Sequence, residues 1–188
     1  MKKLLLLSLL SFLPFVGMHA QSQNSMWGED VEFDASDGTA DMELYLSVDE
    51  AGRYFATHFT IVMPKGFTIV SEVEDGETFF DCYVNNSRQR DTSASLKYFE
   101  STNSYNVITQ NASAYKINQK SGYYIIATIQ ADEDVVSGTY PVTLKNITMA
   151  DGVVEVSMPD FTFNIIYTKA AKTYDLTVTD AGMATILY

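Results

Sequence analysis

His58 and Cys82 are the first residues to weigh for chemistry, because beyond residue 20 the sequence holds one histidine and one cysteine. A nucleophilic thiol needs a base within reach or a neighbouring positive charge that lowers its pKa. Cys82 instead sits in the apolar run Phe79-Phe80-Asp81-Cys82-Tyr83, which marks a small buried hydrophobe. His58 shares a strand face with Tyr54, Ala56, Thr60 and Val62 and reads as a packed or partly exposed strand histidine. One histidine and one cysteine make no zinc set of three or four ligands. Acids are plentiful, but Glu72, Glu74, Asp75 and Glu77, like Asp132, Glu133 and Asp134, gather around glycine or at strand ends, as solvated turns do. A glycosidase pair among them would depend on distance in the fold. No phosphate-cradling glycine loop is present. The expectation is therefore no catalytic residue, no metal ligand set and no cofactor, with calcium in an acidic loop as the open alternative, since hard oxygen ligands suit that ion.

Binding candidates come from one loop and one residue class. The polar stretch 85–92 offers Asn85, Asn86, Arg88 and Arg90, and loops on rigid scaffolds commonly carry binding groups. Its removal is expected to leave thermal stability nearly intact and to abolish partner capture. Sugar stacking would need exposed rings, for which Trp27, Tyr83, Tyr98, Tyr105 and Tyr115 are the candidates. Tyr105 joins the four loop residues as the predicted binding set.

The elements that must position these residues are strands. In 40–48, Met42, Leu44, Leu46 and Val48 alternate with Glu43, Tyr45 and Ser47, which puts one face inward and one toward water. A second alternation spans 54–63 and stops at Pro64-Lys65-Gly66. Further strands are predicted over 67–73, 79–84, 93–99, 105–109, 123–131, 139–147, 153–158 and 161–167. Residues 123–129 are apolar on both faces and belong mid-sheet. Between 111 and 121 the pattern breaks, leaving room for one short helical turn or an irregular crossing. No segment keeps a helical period, so the fold class is all-β, an antiparallel β-sandwich of about one domain's length.

Residues 1–20 pair two lysines with a short apolar run and end in small residues, the form of a secretory signal peptide rather than a stable membrane span. The chain is thus expected to be exported to the periplasm, cell surface or extracellular space. Removing that segment takes away Lys2 and Lys3 and moves the formal charge from −12 to −14. A phosphate backbone repels such a chain, which excludes nucleic acid as a partner. Residues 21–30 read as a flexible lead-in, 31–168 as the sandwich, and 169–188 as a linker with the start of a further β segment.

Three stretches carry a family resemblance: Ala56-Thr57-His58-Phe59-Thr60-Ile61-Val62-Met63-Pro64-Lys65-Gly66-Phe67, Gly122-Tyr123-Tyr124-Ile125-Ile126-Ala127-Thr128-Ile129, and Gly138-Thr139-Tyr140-Pro141-Val142-Thr143-Leu144-Lys145-Asn146-Ile147. Their strand-corner pattern resembles cohesin-like modules of secreted bacterial proteins of the gut-anaerobe type, and the related cellulose-binding-module superfamily. The resemblance spans about residues 31–167 and implies a jelly-roll sandwich that binds a protein partner or spaces a larger assembly. It transfers no contact residue, and Asp34-Ala35-Ser36-Asp37-Gly38 lacks the rest of a calcium loop. The alternative is a carbohydrate-binding module with a polysaccharide partner. A protein binder should present a flat mixed patch, and a sugar binder two or three exposed rings on one face.

Overall fold

The structure, a computed structural model, describes residues 24–169, 176–178 and 184–186. The signal-peptide reading of 1–20 lies outside the described residues, as does most of 169–188. There, β15 (Leu176–Val178) pairs with β16 (Ala184–Ile186) as a short antiparallel hairpin.

Two sheets face each other. The five-stranded sheet runs β1 (Ser25–Gly28), β3 (Thr39–Ser47), β11 (Ser121–Ala131), then β5 (Phe67–Ile69), with β8 (Cys82–Val84) also on β11. The seven-stranded sheet runs β2 (Val31–Asp34), β14 (Phe161–Thr168), β12 (Gly138–Ala150), β4 (Ala56–Val62), β10 (Ser104–Gln110) and β9 (Ser93–Phe99), with β13 (Glu155–Ser157) on β12. Every pairing is antiparallel except β14 with β2. Outside both sheets, β6 (Ser71–Glu74) and β7 (Glu77–Phe80) form a small hairpin.

The alternation read from 40–48 is the packing rule of the core. Met42, Leu44 and Leu46 of β3 meet Phe59 and Ile61 of β4, Val107 of β10 and Ile129 of β11 in one buried cluster. Strand β11 is central, as its two-sided apolarity predicts, but the reason is local. A bulge between Tyr123 and Ile125 turns the consecutive Tyr124 and Ile125 both inward, so Tyr-Tyr-Ile-Ile keeps no simple period of two. A second bulge in β12 leaves the neighbours Lys145 and Asn146 both exposed.

Two readings change, and one choice between alternatives is resolved. Ser25–Gly28, inside the expected flexible lead-in, is strand β1 with Met26 buried. Its brevity hid it, since four residues carry almost no periodicity. Between 111 and 121 the chain takes the irregular crossing rather than the helical turn; the one described helical turn is a 3-10 turn at Glu100–Thr102. Tyr54 is fully buried rather than on the face of His58, because the regular strand begins at Ala56.

The two ends of the sandwich differ in chemistry. At one end Phe67 packs against Phe33, Tyr140 and Tyr167, with ring centroids 5.0–6.5 Å apart. At the other, a polar network is sealed inside. The Tyr124 hydroxyl donates to Gln89 Oε1 at 2.6 Å and lies 2.9 Å from Thr109 Oγ1, which in turn lies 2.8 Å from Thr57 Oγ1. Burial pushes the Tyr124 phenol up to about 12.

One turn carries an acid-sensitive clasp. Asp151 Oδ1 accepts from the N–H groups of Val153 and Val154, at 2.9 and 2.8 Å, and Oδ2 accepts from Arg53 Nε at 3.1 Å. These backbone donors first, and Arg53 after them, hold its pKa down at about 2, against 3.8 unperturbed. A carboxylate depressed in the folded state stabilises fully above its unfolded pKa and loses that contribution as pH falls through its folded one. Thermal unfolding followed from pH 5 to about pH 2 is therefore expected to show an acid-side loss that Asp151→Asn removes in part. A variant with the same acid slope as the parent would contradict this.

Candidate interaction surfaces

The predicted binding set is dispersed by the fold. Arg88 and Tyr105 are 1% exposed, so neither offers its side chain to a partner at the surface. The Arg88 guanidinium enters the end of the sandwich and donates to three main-chain carbonyls: Leu46 at 3.0 Å, Gly122 at 2.6 Å and Gln119 at 3.0 Å. Its neighbour Gln89, fully buried, donates to the carbonyls of Phe55 and Tyr115. The loop is a plug: its polar residues serve the interior, where strand ends present carbonyls that need donors. Asn85 and Asn86 shape it, their Oδ1 atoms accepting from the N–H groups of Ser87 and Asp91. Arg90 points out, as Asn86 also does, and lies 3.1 Å from Asp91 and over the Tyr115 ring. Tyr105 takes an N–H from Ile69 on its hydroxyl at 3.1 Å.

His58 and Cys82 are far apart in role. His58 lies on the outer face of β4, its Nε2 2.6 Å from Asn106 Oδ1. Cys82 is buried on the inner side of β8, and burial first, then Asp81, pushes its thiol up to about 12. It should resist iodoacetamide at neutral pH in the folded protein and react fully in guanidinium; rapid native labelling would contradict that burial. Among the described residues, no three His, Cys, Asp or Glu side chains are placed to hold a metal ion.

Two broad sheet faces remain. On the seven-stranded sheet, the register aligns outward residues in rows across β12, β4, β10 and β9. One row is Lys145, Thr60, Asn106 and Lys97; the next is Thr148, His58, Ile108 and Ser95. None of these four strands contains an aspartate or glutamate, in a chain with 24 acids. Lys145 and Lys97 bracket the face about 14 Å apart, three strand spacings of roughly 4.8 Å. Ile108 and Phe99 lie exposed between and beside them. This surface is mixed in chemistry and, with two lysines and no acid on its four strands, positive on an acidic protein. Its signal was present in the sequence as acid-free strands, but only the register shows that they are neighbours.

The five-stranded sheet presents rings instead. Trp27 of β1, Tyr45 of β3 and Tyr123 of β11 stand in one row. Trp27 and Tyr45 are stacked on each other, with centroids 5.7 Å apart and planes 16° apart, so each turns a ring face to its neighbour. Tyr45 donates to Glu43 at 2.6 Å, and its phenol is raised to about 12 by that bond first.

Two facing sheets closed by a parallel pairing of an early strand with a late one define a cohesin-like jelly-roll β-sandwich. Solved structures share this fold. The chain is similar to a cohesin module of a family 33 glycoside hydrolase from Clostridium perfringens, with TM-score 0.58, 7% identity, and 79% of this chain and 99% of that one covered. It is similar to a cohesin–dockerin complex from Clostridium thermocellum, with TM-score 0.57, 13% identity and coverage of 77% and 99%. A non-cellulosomal cohesin from Archaeoglobus fulgidus gives TM-score 0.51 at 12% identity, covering 77% and 91%. The sequence matches no family model and no curated protein. No helix among the described residues is long and apolar enough to cross a membrane.

Proposed function

We propose that this chain is an exported, non-catalytic protein-binding module whose partner docks on the outer face of β12, β4, β10 and β9. The observation that carries the reading is that face: four adjacent strands without an acid, bracketed by Lys97 and Lys145, on a chain of net charge −12. Such a surface attracts an acidic partner, so charge raises the encounter rate. Thr60, Asn106 and His58 supply hydrogen-bonding groups around the apolar centre Ile108, the composition of an interface core with a polar rim. Dockerin modules are the first partners to test, because several of the similar cohesins were solved with one bound. The signal-like residues 1–20 support export.

The test uses the chain from residue 21 onward against dockerin modules of the source organism. Ile108→Glu puts an acid at the centre of the face. It is expected to weaken capture at least about tenfold, the loss of roughly 1.4 kcal/mol, with thermal stability nearly unchanged at this exposed position. Lys97→Glu with Lys145→Glu should slow association most at low salt. Full capture by all of these variants, or a loss confined to Arg90→Ala in the 85–92 loop, would overturn the assignment.

A further inference from the structure

At one edge of the sandwich, where β5 ends one sheet and β9 ends the other, a cavity of about 450 Å³ opens with the β6–β7 hairpin as its third wall. That volume lies within the range of small-molecule sites, about 300–1,000 Å³. We propose that this cavity is a carbohydrate site taking a neutral pyranose; it borders the proposed protein-docking face at Lys97 and does not depend on that reading.

Three features carry the assignment. The floor is aromatic and fixed: Tyr105 is buried and held through its hydroxyl by Ile69 N–H. Tyr98 lies 4.8 Å from it at 32°, and Phe80 stands edge-on at 5.5 Å and 85°. Tyr98 and Phe80 both keep exposed surface, which gives the apolar face of a sugar ring something to stack on. The rim is made of groups that both donate and accept, as sugar hydroxyls do: Thr68, Ser71, Thr78 and Gln130. Gln130 already donates to Thr68 at 3.3 Å.

The third feature is what the hairpin does with its charge. Its register pairs Ser71 with Phe80 and Val73 with Thr78, placing these on one face, and Glu72 with Phe79 and Glu74 with Glu77 on the other. Period two therefore turns the three glutamates away and presents Ser71, Thr78 and Phe80 to the cavity. No carboxylate lines it, and Lys97 is its only charged residue. A cation finds no counter-charge there, and the lining suits an uncharged, hydroxyl-rich ring. All four residues of β6 are exposed, so the hairpin has little core of its own, and an isolated two-stranded hairpin is marginal in water. Its service is as a wall.

The experiment titrates the chain from residue 21 onward by calorimetry and by amide shifts with cellotetraose, xylotetraose, mannotetraose and maltotetraose, with a tetragalacturonate as the acidic arm. Binding of at least one neutral oligosaccharide is expected. Tyr98→Ala should weaken it about tenfold, since stacking on an aromatic ring contributes on that scale. Gln130→Ala, at an exposed position that leaves the core intact, should weaken it several-fold. Trp27→Ala and Ile108→Glu should leave it unchanged, the latter separating this site from the protein-docking face. The proposal is overturned if none of the neutral sugars binds, if the uronate binds more tightly, or if Trp27→Ala rather than Tyr98→Ala removes binding.

Discussion

Arg88→Ala is expected to lower the melting temperature by about 10 °C, even though Arg88 lies in the most polar loop of the sequence. Truncation strips hydrogen bonds from the carbonyls of Leu46, Gly122 and Gln119 at once. Bonds from a charged donor contribute about 1.5–3 kcal/mol each, and buried groups left unpaired cost on the same scale, so about 3–5 kcal/mol is lost after allowing for non-additivity. In a domain of this size 1 kcal/mol corresponds to roughly 2–4 °C. Arg88→Met separates packing from bonding: it refills the space without a donor and should recover only a minor part of the loss. Arg90→Ala, two residues on but exposed, should stay within about 0.5 kcal/mol of the parent. Equal, small effects at both positions would show that the plug has no structural weight. The expectation that removing 85–92 leaves stability intact is reversed by the same geometry.

Gly66→Ala is the second large effect. Gly66 has φ +86°, and an added Cβ would sit 2.5 Å from Val135 Cγ2. The left-handed conformation costs a residue with a Cβ about 1–2 kcal/mol, and overpacking adds about 1–3 kcal/mol. A total near 3 kcal/mol should again lower the melting temperature by about 10 °C. The terms separate in a cycle with Val135→Ala, which relieves the collision and leaves the backbone cost. If the double variant is no better than the sum of the singles, the collision is not the cause. The corner matters because Asp132 N–H donates to the Gly66 carbonyl at 2.7 Å, tying the turn before β5 to the end of β11.

That corner also shows how far the sequence reaches. Met63-Pro64-Lys65-Gly66 is legible because proline and glycine fix backbone geometry by themselves, and the alternations in β3 and β4 are legible because burial on one side imposes period two. The bulge at Tyr124 is not, since an extra residue looks the same as a strand apolar on both faces. Arg88 misleads for a related reason: residue type reports that a group needs hydrogen bonds, not whether water or carbonyls supply them. A hint existed in Thr57 and Thr109, hydroxyl residues in the inward phase of β4 and β10, which call for a buried partner. The docking face was written in acid-free strands, and the edge cavity in the alternation of 71–80. Both depend on pairings between residues far apart in the chain, which periodicity does not encode.

The parallel pairing of β2 with β14 sets an order of events in synthesis. Beside that pair, Asp30 and Asn164 bond across 134 positions of the chain. Contacts so distant in sequence close late and slow folding. A chain emerging amino terminus first holds β2 without its partner until β14 has left the ribosome. The larger sheet, and with it the sandwich, is therefore completed only once β14 has emerged, and every residue made before then waits in an unclosed form.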